Sequence, residues 1–146
     1  MNPREFLALA RVLSLDTTQA AWRTAVSRAY YAAFHVARLL LTDLGFVVPQ
    51  ADRAHAYLWL RLNNCGDSQV QQAAVSLNTL RGRRNAADYD LHRPVSQAFA
   101  QAQVQVAERI IQVLDAVAAD AARRTQIMNE MIRYERDVLH DVTWTP

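Results

Sequence analysis

Lysine is missing altogether: all sixteen basic side chains are arginine, set against fourteen acidic ones for a formal charge of +2. So mild a balance excludes a strongly basic nucleic-acid coat. The arginine bias keeps two readings open. It follows from a GC-rich genome, or from selection for the planar fork that grips phosphate bidentately. Cysteine is nearly absent too. The single Cys65 excludes an internal disulfide and a four-cysteine zinc site, and it fits a reducing cytoplasm and a buried, inert thiol.

Glycine occurs three times and proline four times, too seldom for a phosphate-cradling glycine loop or a dinucleotide fingerprint. No GxSxG elbow is present. His35, His55, His92 and His140 form no HExxH or paired ExxH arrangement, so neither a metal nor a cofactor is expected. No apolar run is long enough for a bilayer, and Met1 to Phe6 lacks the pattern of a signal peptide. A cytoplasmic protein with no membrane contact is the expectation.

What remains is rich in Ala, Leu, Val, Gln and Arg, with half the residues hydrophobic, and it favours helices. A chain of 146 residues is the size of one ordinary domain, and a single domain over 1–146 is expected. Asn2 and Pro3 open a first helix with Phe6, Leu9 (with Ala10) and Leu13 inward, closing near Leu15. Asp16 to Thr18 cap a long second helix that Gly45 ends, with Trp22, Val26, Tyr30, Ala33, Phe34, Ala37, Leu41 and Leu44 as its buried stripe. A loop over Phe46 to Gln50 leads to a third helix, capped by Asp52, carrying Ala54, Leu58 and Leu62, and ending at Cys65 and Gly66.

Asp67 or Ser68 starts the fourth helix, whose apolar positions run Ala73, Leu77, Leu80, Ala87 and Leu91, with Arg84 in a slot where an apolar residue belongs. His92-Arg93-Pro94 breaks the chain. A fifth helix carries Val95, Phe99, Ala102, Val106, Ile110, Val113 and Val117, and Ile127 to Leu139 reads as a further helical extension before a polar tail at Trp144. Long helices and short connections predict an antiparallel up-and-down bundle of four to five helices.

Two segments carry candidate chemistry. Leu80 to Leu91 gathers Arg81, Arg83, Arg84, Asn85, Asp88 and Tyr89 near one helix end. An arginine in a core-facing stripe cannot lose its charge, so Arg84 either pairs with Asp88, four residues on, to set helix register, or faces a second subunit or an anionic ligand. Ser27 to His35 places Arg28, Tyr31, His35 and Arg38 at helical spacing on one face. That face is either a cleft for phosphate and base or ordinary packing of amphipathic side chains.

Together, SRAYYAAFH at Ser27 to His35 and LRGRRNAADYDL at Leu80 to Leu91 resemble the small stand-alone bacterial and archaeal HEPN proteins, in order and separation as well as in residues. His55 and the long Ala/Val-rich fifth helix extend the resemblance over about 3–122, leaving 123–146 as a C-terminal extension and tail. The resemblance implies an all-α bundle forming a two-fold homodimer with Arg84 at the dimer face. It further implies a metal-independent endoribonuclease of the toxin or defence kind. Arg84, Asn85, Asp88 and Tyr89 are then the catalytic set, and Arg81, Arg83, Arg28, Tyr31 and His35 hold RNA or phosphate.

Arg84 and Asn85 match the opening of the family's catalytic motif, but Tyr89 stands where the closing histidine is expected, and His92 lies after seven intervening residues. A phenol is a weaker general base near neutrality than an imidazole. The same resemblance therefore also implies a non-catalytic dimer binding nucleotide, RNA or a nucleotidyltransferase. Small HEPN proteins are often paired with such a transferase as toxin and antitoxin, and Tyr89 is the position that an adenylylating partner would modify.

Overall fold

The computed structural model describes residues 1–146, and it is an all-α helical bundle. Its helices are α1 (Arg4–Ser14), α2 (Gln19–Leu44), α3 (Arg53–Leu62), α4 (Ser68–Tyr89), α5 (Gln97–Ala118) and α6 (Ala121–Tyr134), followed by a π-helical turn at Glu135–Leu139. None is long and apolar enough to cross a membrane. The chain forms two compact units, Met1–His35 with Ser76–Ile110, and Val36–Val75 with Ile111–Pro146.

In the first unit, the Asn2 side chain accepts the Arg4 N–H at 3.0 Å and so opens α1. Thr18 does the same for α2, accepting the Ala21 N–H at 3.2 Å. Ala25, Val26, Ala87, Val95 and Ala100 form a buried cluster, with Leu13, Trp22 and Phe99 packed against it. Small side chains dominate this cluster, which lets the helix backbones approach closely.

Two expected stripes are corrected. In α1 the expected Ala10 is buried, but with Leu7 and Ser14 rather than Leu9, which is exposed. In α5 Ala102 is exposed, and Ala100, Gln103, Val104, Ala107, Ile111 and Leu114 are buried instead, alongside the expected Ile110 and Val117. Both helices carry apolar residues over more than one stripe, so periodicity alone permits two rotations about the axis. In α4 the expected stripe holds from Ala73 to Ala87, with Arg84 buried in it, but Leu91 lies beyond the helix end and is exposed.

In the second unit, Gly45 ends α2 at φ +110°, and the Phe46 N–H returns to the Leu41 carbonyl at 3.0 Å. This is the left-handed closure that glycine permits without a Cβ clash. Asp52 precedes α3 but makes no side-chain capping bond, contrary to expectation. Asp67 does cap α4, accepting from the Gln69 and Val70 N–H groups at 3.1 Å each.

The C-terminal extension starts earlier than the sequence suggested, because Asp120 caps α6 through the N–H groups of Ala122 and Arg123. Ile127 and Met131 are wholly buried. The tail is fastened: the Trp144 indole donates to the Leu44 carbonyl at 2.8 Å, and the Thr145 N–H donates to that of Gly45 at 2.9 Å.

Candidate functional site

Helices α2 and α4 position the candidate residues within the first unit. Arg84 is 8% exposed. One of its Nη atoms donates to the Tyr31 hydroxyl at 2.8 Å, and its guanidinium carbon stands 5.0 Å from the Tyr31 ring centroid and 5.6 Å from that of Tyr30. Aromatic faces on a desolvated cation supply part of what water would have given it.

Asp88 is a loose partner. Its nearest carboxylate oxygen lies 3.7 Å from Arg84 Nη1, and its side chain remains 30% exposed. The Ser27 hydroxyl donates to Asp88 at 3.3 Å, and Arg28 donates to Ser27 at 3.4 Å. The buried Nε atoms of both Arg84 and Arg81 have no hydrogen-bond partner. Leaving a charged donor unpaired in a buried place is costly, so the cationic cluster is under-compensated from within the chain.

Aromatic groups floor this cluster. The Arg28 guanidinium lies 5.0 Å from the Phe6 ring centroid and 5.2 Å from that of Tyr31. His35 stacks on Phe6 at 6.0 Å and lies 6.2 Å from Tyr31. Burial holds the Tyr30 hydroxyl well above the ordinary phenol range, although Arg81 and Arg84 both pull it down. Tyr30 therefore stays neutral and serves as a wall rather than a proton carrier.

The structure thus brings Arg28, Tyr31, His35, Arg84 and Asp88 together, with Arg81 close enough to act on Tyr30. It separates Arg83, which turns to α5, donating to Gln103 at 2.7 Å and lying 5.9 Å from the Phe99 ring centroid. Asn85 is exposed, and Tyr89 is 78% exposed at the last residue of α4. Arg38, on the same sequence stripe as Arg28, belongs to the second unit and donates to the carbonyls of Val48 and Pro49.

Sequence reasoning missed Arg23. It is buried, and its guanidinium donates to the carbonyls of Ala87 (2.8 Å), Asp90 (3.1 Å), Leu91 (3.5 Å) and Arg93. Those are the orphan carbonyls at the end of α4 and the loop beyond, so Arg23 fixes the exit of the motif helix. The only signal was an arginine inside an otherwise apolar stretch of α2. Besides the Gln19 side chain one turn earlier, which accepts at 3.1 Å, its partners are backbone carbonyls, to which residue types give no clue.

No group of three or more His, Cys, Asp or Glu side chains is placed to hold a metal ion. Residues 4–117, more than three quarters of the chain, match the model of the HEPN domain family. The chain belongs to the HEPN family. HEPN domains are helical bundles and are generally RNA-related. Neither the curated proteins nor the solved structures contain a match to this HEPN chain.

Proposed function

We propose that this HEPN protein acts on RNA at the Arg84 cluster, as a metal-independent endoribonuclease. The supporting observation is the contrast between two buried arginines of the same chain. Arg61 and Glu135 are both fully buried at 2.8 Å, with further donors on the carboxylate. Arg84 has instead a distant, half-solvated carboxylate and an unpaired Nε. A pair kept only for helix register has no reason to be left so open, whereas a phosphate supplies the missing acceptors.

In this reading Arg84, Arg81 and Arg28 stabilise the charge that builds on the non-bridging phosphoryl oxygens as a ribose 2′-oxygen, its proton taken by Asp88 or Tyr89 as base, attacks phosphorus and the 5′-oxygen leaves carrying a proton, giving a 2′,3′-cyclic phosphate. Tyr31 presents a hydroxyl and a stacking face, and His35, its ring centroid 6.2 Å away, adds a further contact to RNA or phosphate. Tyr89 and Asn85 complete the catalytic set with Asp88, and their exposure at the end of α4 suits them to meet the corresponding residues of a second copy in a two-fold homodimer. Arg83 extends the phosphate contacts. The biological setting we propose is a cytoplasmic toxin–antitoxin or defence pair with a nucleotidyltransferase partner.

A second reading, a non-catalytic dimer that binds RNA, nucleotide or the transferase, is favoured by the tyrosine at position 89. Its 78% exposure is what a modifying enzyme requires of a target hydroxyl. Incubating purified protein with mixed RNA in EDTA separates the two readings. Cleavage lost in Arg84→Ala and reduced in Tyr89→Phe supports the nuclease. An inert wild type that still binds RNA or the partner through Arg84 supports the binding module.

A further inference from the structure

The first unit holds a cavity of about 540 Å³ on a different side of α4 from the Arg84 cluster, lined among others by Thr79, Gly82, Arg83, Arg93, Ser96 and Phe99. This volume lies in the range of small-molecule sites. Its walls are held in place. Arg23 grips the carbonyls of Asp90, Leu91 and Arg93, Phe99 packs on the buried cluster, and Gln103 fixes Arg83 at 2.7 Å.

Gly82 is the informative residue. The other two glycines have φ of +110° and +77°, which account for them, but Gly82 is helical and a Cβ there would meet nothing within 4 Å. Glycine inside a helix is costly relative to alanine, and neither backbone conformation nor close packing explains it here. Gly82 lies on the lining of the cavity, where it adds no side chain to the open space.

The lining is amphipathic and of one sign. Phe99, Pro94, Val95 and two alanines offer apolar surface, Arg83 and Arg93 are the charged groups, and no carboxylate is present. We infer that this cavity binds a small amphipathic organic anion, with an apolar, flat body against Phe99 and a carboxylate, sulfonate or phosphate on Arg83 and Arg93. The site is separate from the Arg84 cluster, and of the residues read above as holding RNA it uses only Arg83.

The probe for the test is anilinonaphthalene sulfonate, an aromatic anion that fluoresces on transfer from water, compared with phenylnaphthylamine, its uncharged counterpart. Wild type is expected to bind the sulfonate saturably at one class of site. Gly82→Leu fills the cavity with a better helix former, so it should retain the helical circular dichroism and lose affinity for both dyes by about tenfold or more. Arg83→Gln combined with Arg93→Gln should weaken the sulfonate by a similar factor and leave the neutral dye unchanged. Absence of saturable binding by wild type, or unchanged affinity in a folded Gly82→Leu protein, overturns the site. Loss of both dyes alike in the arginine double variant, or loss of neither, overturns the assignment to an anion.

Discussion

Glu135 shows what complete compensation of a buried charge requires. Its carboxylate is inaccessible to solvent and accepts from Arg61, from the N–H groups of Thr143 (3.0 Å) and Trp144 (3.2 Å), and from the Thr143 hydroxyl at 2.6 Å. The Arg61 guanidinium also lies 3.4 Å from the Tyr57 ring centroid. Glu135→Ala leaves that cation buried and unpaired and also frees the tail, so a loss of about 3–5 kcal/mol is expected in urea unfolding. Replacing both partners by methionine should cost less, because no orphan charge remains and only the tail donors of Thr143 and Trp144 lose their acceptor. Arg84→Ala should behave differently. It deletes a cation without stranding a fully buried carboxylate, so its effect on stability should be smaller than that of Glu135→Ala, while its effect on RNA should be the larger of the two.

Among the elements, α4 depends most on its ends. Asp67 caps its start and pairs with Arg123 at 2.9 Å, and Arg23 receives its final carbonyls. Desolvation pushes the Asp67 carboxyl up, but the Val70 and Gln69 N–H groups and the Arg123 guanidinium outweigh it, and the group ionises below the usual carboxylate range. A carboxyl depressed by folding stabilises the protein above its unfolded pKa, and that contribution fades as pH falls through the folded value. Thermal unfolding should therefore show stability decreasing below about pH 4, with a shallower decrease in Asp67→Asn. At neutral pH Asp67→Ala should cost about 1–2 kcal/mol through the lost cap and ion pair.

At the scale of the whole molecule, a net charge of +2 gives little long-range attraction for RNA. Binding at the Arg84 cluster should then depend on local phosphate contacts. If Arg28, Arg81 and Arg84 each neutralise one phosphate, log affinity for single-stranded RNA should fall against log salt with a slope of about −2. Arg84→Ala should reduce that slope by roughly 0.7. A slope several times steeper, measured by fluorescence anisotropy, would point to a broad basic surface and count against a compact site.

Helix type and approximate extent were determined by the sequence itself, since Asn2, Thr18, Gly45, Gly66 and Asp67 act locally on the backbone and need no distant partner. Arg84 was likewise conspicuous, because a charge that interrupts a strict apolar repeat is visible before any fold is known. The tertiary structure alone decided which stripe of α1 and α5 turned inward, because both helices carry more than one apolar face and only their neighbours select between them. It alone decided that Arg83 leaves the site that Arg84 joins, since adjacent residues on a helix point about 100° apart. It also decided that Arg23 and Glu135 are structural anchors. Their partners include backbone groups or residues many positions away, and such pairings exist only once the chain has folded.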